Sequence, residues 1–133
     1  MPEPDSSTPP PGTPTDIDVP AEDAKLVTLA RGARLRAHAP HTALTEGAAV
    51  RDTDGRTNAA ATVENADPSL TTSALRGAVA AAASSGVRTF EAAVVVTDGL
   101  VRDADLAVLR EFVVGLPVLV AGPDGVVRET LST

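Results

Sequence analysis

The feature that most constrains the fold is one short run, Glu91-Ala-Ala-Val-Val-Val-Thr97, apolar at every position from Ala92 to Val96 and closed by Asp98-Gly99. A strand with one solvated face alternates apolar and polar residues; this one is apolar on both sides of its pleat, so both faces need cover. Segments of helical period supply it. Leu26, Val27, Leu29, Ala30, Ala33 and Leu35 recur near helical spacing, with Arg31, Arg34 and Arg36 enriching the C-terminal part. This predicts a first helix from Ala21 that ends before Ala39-Pro40. Leu70 to Ser85 is Ala-rich and unbroken until Gly86, where a left-handed C-terminal cap is expected. A third helix is predicted over Asp103 to Val114, with Leu106, Leu109 and Val113 on one face and Asp103 as its N-cap.

The remaining segments read as strands. Gly47 to Arg51 and Thr57 to Val63 flank Asp54-Gly55, a dipeptide suited to the positive φ of a tight hairpin. LPVLVAG and GVVRETL flank Pro123-Asp124-Gly125 as a closing pair. The order is helix, strand, strand, helix, strand, helix, strand, strand. An α/β fold follows, a sheet with helices on both faces.

Met1 to Pro20 holds seven of the eleven prolines, four acids and no base. Too little apolar surface is present there to offset the entropy of ordering, so residues 1–20 are expected to be a disordered acidic tail and residues 21–133 the folded domain. Acids outnumber bases 18 to 11, an imbalance that repels a phosphate backbone, and with Phe90 and Phe112 as the only aromatics there is little on which unpaired bases could stack. Nucleic acid is therefore not an expected partner. No apolar stretch reaches the roughly 18 residues of a membrane span, and Met1 opens neither a basic flank nor an apolar signal core. A cytoplasmic location without membrane association is expected. Cysteine is absent, which removes disulfides, thiolate nucleophiles and every Cys-containing zinc site.

Several strings resemble the small cytidine deaminases, and in the same order. ARGARLRAHAPHT is similar to that family's helix followed by Ala-Pro-Tyr-Ser, GAAVRDTDGRT to its first hairpin, and TVENADPSLTTSALRGAV to its Asn-Val-Glu-Asn stretch leading into Cys-Ala-Glu-Arg. VLREF, LPVLVAGPDG and VRETLS resemble the segments after its Pro-Cys-Gly-x-Cys-Arg motif. The resemblance spans about residues 24 to 133. It implies a three-layer α/β/α cytidine-deaminase-like sandwich with a mixed five-stranded sheet, and a homo-oligomer, since the family's usual assembly is a homotetramer.

Zinc deaminases lower the pKa of a metal-bound water and hold the hydroxide against the amine-bearing carbon of the base. The resemblance puts the first ligand position at Ser73 and the proton-shuttle position at Leu75. Counting back from VLREF without a gap puts the other two ligand positions at Arg102 and Asp105. A serine hydroxyl is a poor neutral ligand, an arginine brings a permanent positive charge, and a leucine has no proton to move. No zinc or other cofactor is expected. Leu75 also reads simply as a core leucine. The family's ribose-binding Asn and Glu fall at Thr62 and Glu64, and the Phe that packs on the pyrimidine falls at Leu44. Asn65 and Arg76 match the family as well, and read as a turn amide and a surface guanidinium. His38 and His41 lie three apart, but no third ligand is evident nearby and they read as loop histidines.

Three functions remain open on this reading. The leading one is a catalytically inactive deaminase-like protein that acts by binding or assembly, as a dimer or tetramer. The second is a hydrolase that deaminates cytidine or a related pyrimidine nucleoside through a non-standard site built from Glu64, Asp103, Asp105 and a histidine. The third is a sensor in which Glu64 still grips a nucleoside-like ligand.

Overall fold

The computed structural model describes residues 18–133. For residues 1–17, the expected acidic tail lies outside the described residues. Val19 already packs on a buried cluster, so the packed structure includes residues ahead of Ala21. Helix α1 runs Ala21–Arg34, strands β1 and β2 Gly47–Asp52 and Thr57–Ala61, and helix α2 Ala74–Ser84. Strand β3 is Phe90–Val96, helix α3 Asp103–Arg110, and strands β4 and β5 Pro117–Ala121 and Val127–Ser132. The five strands form one mixed sheet in the order β2-β1-β3-β4-β5, in which β3 and β4 are parallel and the other neighbours antiparallel.

The central run is covered on both faces. Ala93 and Val95 join Ala48, Val50 and Val118 under Leu75, Ala78, Val79, Ala82, Leu106 and Leu109 of α2 and α3. Val94 and Val96 face the other way, with Ala49 and Ala121, under Leu26, Val27 and Ala30 of α1. This is the three-layer α/β/α sandwich, and the period-2 alternation within an all-apolar strand assigns each valine to its layer.

Element ends depart from the periodicity for local reasons. The first helix stops at Arg34 because the chain turns to bring His38 into a bridge with Val63. The second strand stops at Ala61, leaving Val63 paired singly with His38 and Thr72. That pairing holds Thr72 extended, so the predicted helix from Leu70 divides into a short 3₁₀ turn, Pro68–Leu70, and α2 from Ala74. Ser73 caps α2 by accepting from the Arg76 amide at 3.2 Å. At the other end Gly86 takes φ +101°, as its position predicts. The third helix ends at Arg110 rather than Val114, and Phe112 folds back to meet Phe90 edge to face at 5.8 Å. Asp103 is not its N-cap: Arg102 holds that place without a side-chain bond, and Asp103 sits in the first turn. The first hairpin is wider than a two-residue turn because Asp52 Oδ1 accepts from the amides of both Asp54 and Arg56, leaving Gly55 alone at positive φ.

One close approach sets the spacing of α1 on the sheet. A Cβ on Gly47 would run into the Ala30 carbonyl and the Arg34 amide, both backbone atoms that cannot swing aside. Gly47→Ala is expected to cost about 2 kcal/mol or more, a fall in Tm of roughly 8 °C in thermal denaturation.

Candidate functional site

The chain runs from α2 up into β3 and leaves β3 into α3, so both helices begin at the C-terminal edge of β3. A cavity of about 190 Å³ lies there, lined by Thr42, Leu44, Glu46, Thr62, Glu64, Pro68, Thr71, Ser73, Arg76, Leu100, Arg102 and Asp105. It is smaller than the roughly 300–1,000 Å³ of most ligand sites. A groove of about 260 Å³ between α1 and the start of β5 is larger, but it has fewer polar groups, and its Arg31 is spent on the Pro123 carbonyl.

The positions expected from the sequence meet here, with one exception. Ser73, Arg102 and Asp105 converge, joined by Glu64, Thr62 and Leu44. Leu75 does not line the cavity; it is 2% exposed and packs in the core beneath α2. Ser73 Oγ donates to Asp105 Oδ1 at 2.9 Å. Arg76, read from sequence as a surface residue, turns into the site: Nε lies 3.3 Å from both Ser73 Oγ and Asp105 Oδ1, and Nη2 donates to the Thr71 carbonyl at 2.8 Å. Among the described residues no three His, Cys, Asp or Glu side chains are grouped so as to hold a metal ion. One hydroxyl, one carboxylate and two guanidinium groups do not make a zinc donor set.

Glu64 is built into the wall. Its Oε1 accepts from the amides of His41 at 2.9 Å and Thr42 at 3.2 Å, and its Oε2 accepts from the Thr42 hydroxyl. These donors hold its carboxyl below the ordinary glutamate range, the Thr42 hydroxyl most of all. A carboxylate has about four acceptor positions, and these donors occupy three of them. The Thr62 hydroxyl is engaged on the backbone of Glu46, accepting from its amide at 3.2 Å. His38 contributes through its backbone, donating to Thr62 O and accepting from the Glu64 amide. Asn65 accepts from the Asp67 amide and shapes the turn.

Glu46 was missed in the sequence. It stands at the head of β1, directly before four buried residues, and receives a hydrogen bond from Thr97 Oγ1 at 2.6 Å across the end of β3. Burial raises its pKa, and the Asp105 charge adds to the shift; the Thr97 bond and the Arg102 charge oppose it. The available signal was an acid placed where the strand pattern calls for an apolar residue.

This sheet order, with helices on both faces and a polar cavity where two helices start, defines a deaminase-type α/β/α sandwich. The chain belongs to the cytidine deaminase-like family, whose model matches residues 19–125. It is similar to the cytidine deaminase of Burkholderia pseudomallei, with 30% identity and a TM-score of 0.76 over 81% of this chain and 90% of that one. The cytidine deaminases of Mycobacterium leprae and Mycobacterium tuberculosis are also similar. The first has 28% identity and a TM-score of 0.68 over 85% of this chain and 94% of that one. The second has 26% identity and a TM-score of 0.68 over 86% of this chain and 91% of that one. No curated protein matches the sequence. Among the described residues no helix is long and apolar enough to cross a membrane.

The two glutamates predict opposite pH responses. The depressed pKa of Glu64 contributes stability above the ordinary glutamate range that is lost as pH falls through the folded value, whereas the raised pKa of Glu46 contributes stability at low pH that is lost as pH rises. Glu64→Gln should therefore lower Tm at neutral pH, with the gap closing in acid. Glu46→Gln should match the wild type in acid and gain on it toward neutral pH. Melting curves across roughly pH 3 to 8, a range that brackets the ordinary glutamate value of about 4.3, check both signs.

Proposed function

We propose that this protein is a catalytically silent member of the cytidine deaminase-like family, acting by binding or assembly, with no zinc and no other cofactor. The observation that carries this reading is the closed set of contacts among Ser73, Asp105 and Arg76. At the positions that the family resemblance assigns to metal ligands stand a hydroxyl and a carboxylate already bonded to one another, beside Arg102, which repels a cation. Leu75, at the proton-shuttle position, has no group to titrate and points away from the cavity. Without a metal, nothing in this donor set lowers the pKa of a water enough to make hydroxide at neutral pH. The ligand favoured is small and nucleoside-like, held through Glu64 and the apolar wall of Leu44. Nucleic acid and membranes are not among the partners proposed, and the location proposed is cytoplasmic.

A homo-oligomer, dimer or tetramer, is part of the proposal. Leu35, Val63, Leu70, Leu100 and Val114 are large apolar side chains left more than half exposed. Ala80 and Ala81 of the α2 alanine run face outward and are small enough to let a second copy approach closely, while Ala82 is buried on the sheet. Light scattering should return a dimer or tetramer at micromolar concentration, and a monomer would remove assembly from the proposal.

A second reading rests on Glu46, a titratable acid on the cavity that could move protons in a non-standard deamination. An ammonia-release assay with cytidine and deoxycytidine separates the two, and no turnover is expected. Turnover abolished by Glu46→Gln would establish the second reading.

Elemental analysis of the purified protein should find no stoichiometric zinc, and about one zinc per chain with metal-dependent ammonia release would overturn the first reading. The triple variant Ser73→Cys, Arg102→Cys, Asp105→Cys should take up zinc, because thiolates at two helix starts are favoured by amide donors and dipoles. Leu75→Glu is omitted from it because that change would bury a carboxylate in the core. A folded triple variant that binds no zinc would show that these three positions do not form the ligand set.

A further inference from the structure

We propose that the cavity selects a cyclic imide edge, a ring N–H beside a C=O as in a uracil-type base, with Arg102 donating to the carbonyl and Glu46 accepting from the N–H. The inference rests on the reading of the cavity as a metal-free site for a nucleoside-like ligand. Of the positions that the family resemblance assigns to metal ligands, Ser73 and Asp105 are bonded to one another. Arg102 is the one left open: it lines the cavity, is exposed, and among the described residues forms no ion pair. A zinc deaminase aims its metal-bound hydroxide at the amine-bearing carbon of the base, so a group standing at this position faces the substituent on that carbon. A guanidinium has only N–H donors and no acceptor. It satisfies a carbonyl oxygen there and leaves an amine facing other donors.

Glu46 supplies the complementary group. It lines the same cavity from the head of β1, and Arg102 is near enough for its charge to act on the Glu46 carboxyl. The Thr97 hydroxyl donates to Oε2 at 2.6 Å and is itself fixed by the Gly99 amide at 2.9 Å, which leaves Oε1 as the acceptor for a ligand. A carboxylate oxygen beside a donor-only cation matches a ligand edge that places N–H next to C=O. A cytosine presents the reverse, a bare ring nitrogen next to an amine. In that pose both protein groups meet their own kind, and unpaired polar groups are how such a site rejects a near-isostere. The ring faces find apolar contact as well: Leu100 lines the cavity with Leu44 and is 85% exposed, a surface that a bound ring would cover.

Isothermal titration calorimetry of the full-length protein with uridine, cytidine and N3-methyluridine is the test. Uridine should bind, and cytidine should bind roughly tenfold more weakly or worse, the loss expected when hydrogen bonds to charged groups are mispaired. N3-methyluridine keeps the carbonyl but has no ring N–H, so it should also bind more weakly than uridine. Arg102→Ala should weaken uridine without weakening cytidine, so that the preference collapses. Glu46→Gln should narrow the preference from the other side, because an amide can donate to the bare ring nitrogen of cytidine. Arg102 is exposed, so its variant is expected to fold; should it not, the ratios among the three nucleosides on the wild type decide the matter. Cytidine bound as tightly as uridine, or an Arg102→Ala protein that keeps the wild-type ratio, would overturn the imide assignment and leave the nucleoside reading standing. Heat from none of the three nucleosides would sink that reading and the assignment together. Zinc in the untreated protein, or ammonia released from cytidine, would instead remove the metal-free, silent reading, and both are measured independently of the titrations.

Discussion

The double burial of β3 is the constraint on which the rest depends. A five-residue apolar core strand cannot be left with a wet face, so α1 must lie on one side and α2 with α3 on the other. Because β3 and β4 are parallel, the chain must cross over between them, and α3 is that crossover. The helix leading into β3 and the helix leaving it then start at the same edge of the sheet. The cavity is thus a product of topology before any of its side chains is chosen, and it lies outside the carboxyl end of a central strand, where open α/β sheets commonly hold ligands.

The layers were legible because their signals are local and periodic. The valine run, the helical spacing of Leu26 with Ala30 and of Leu106 with Leu109, and the glycine stop at Gly86 each encode their own element. What was not legible arose from contacts between distant segments. The bridge of Val63 to His38 and Thr72 shortens one helix, one strand and the beginning of another helix at once, and no window of neighbouring residues contains it. Asp103 resembled a cap in composition, yet Arg102 holds the capping position and Asp105 is the acid that turns inward. The resemblance named Ser73, Arg102, Asp105, Glu64, Thr62 and Leu44, and all six line one cavity. It gave no account of Glu46 or of the inward turn of Arg76, because both depend on what faces them across the cavity.

The carboxylates of the cavity show how one small space can give similar groups different characters. Glu64 is surrounded by donors from a single tight turn at His41 and Thr42 and is held ionised. Glu46 has one hydroxyl and an apolar strand beneath it, and its charged form is disfavoured. Asp105 is matched by a hydroxyl and a guanidinium. The environment rather than the residue type sets the behaviour of the two glutamates.

The strand order has a consequence at the two rims of the sheet. On β5 the outer rim carries Arg128 and Glu129, charges that make pairing with a foreign strand costly. The opposite rim, β2, reads Thr-Asn-Ala-Ala-Ala and offers no such deterrent. Its protection comes instead from its shortness, five residues, and from the way the chain beyond Ala61 bends off to pair with His38 and Thr72. That small three-way junction therefore guards the sheet against misassembly as well as shaping the cavity, and a lesion there would surface first as aggregation through β2.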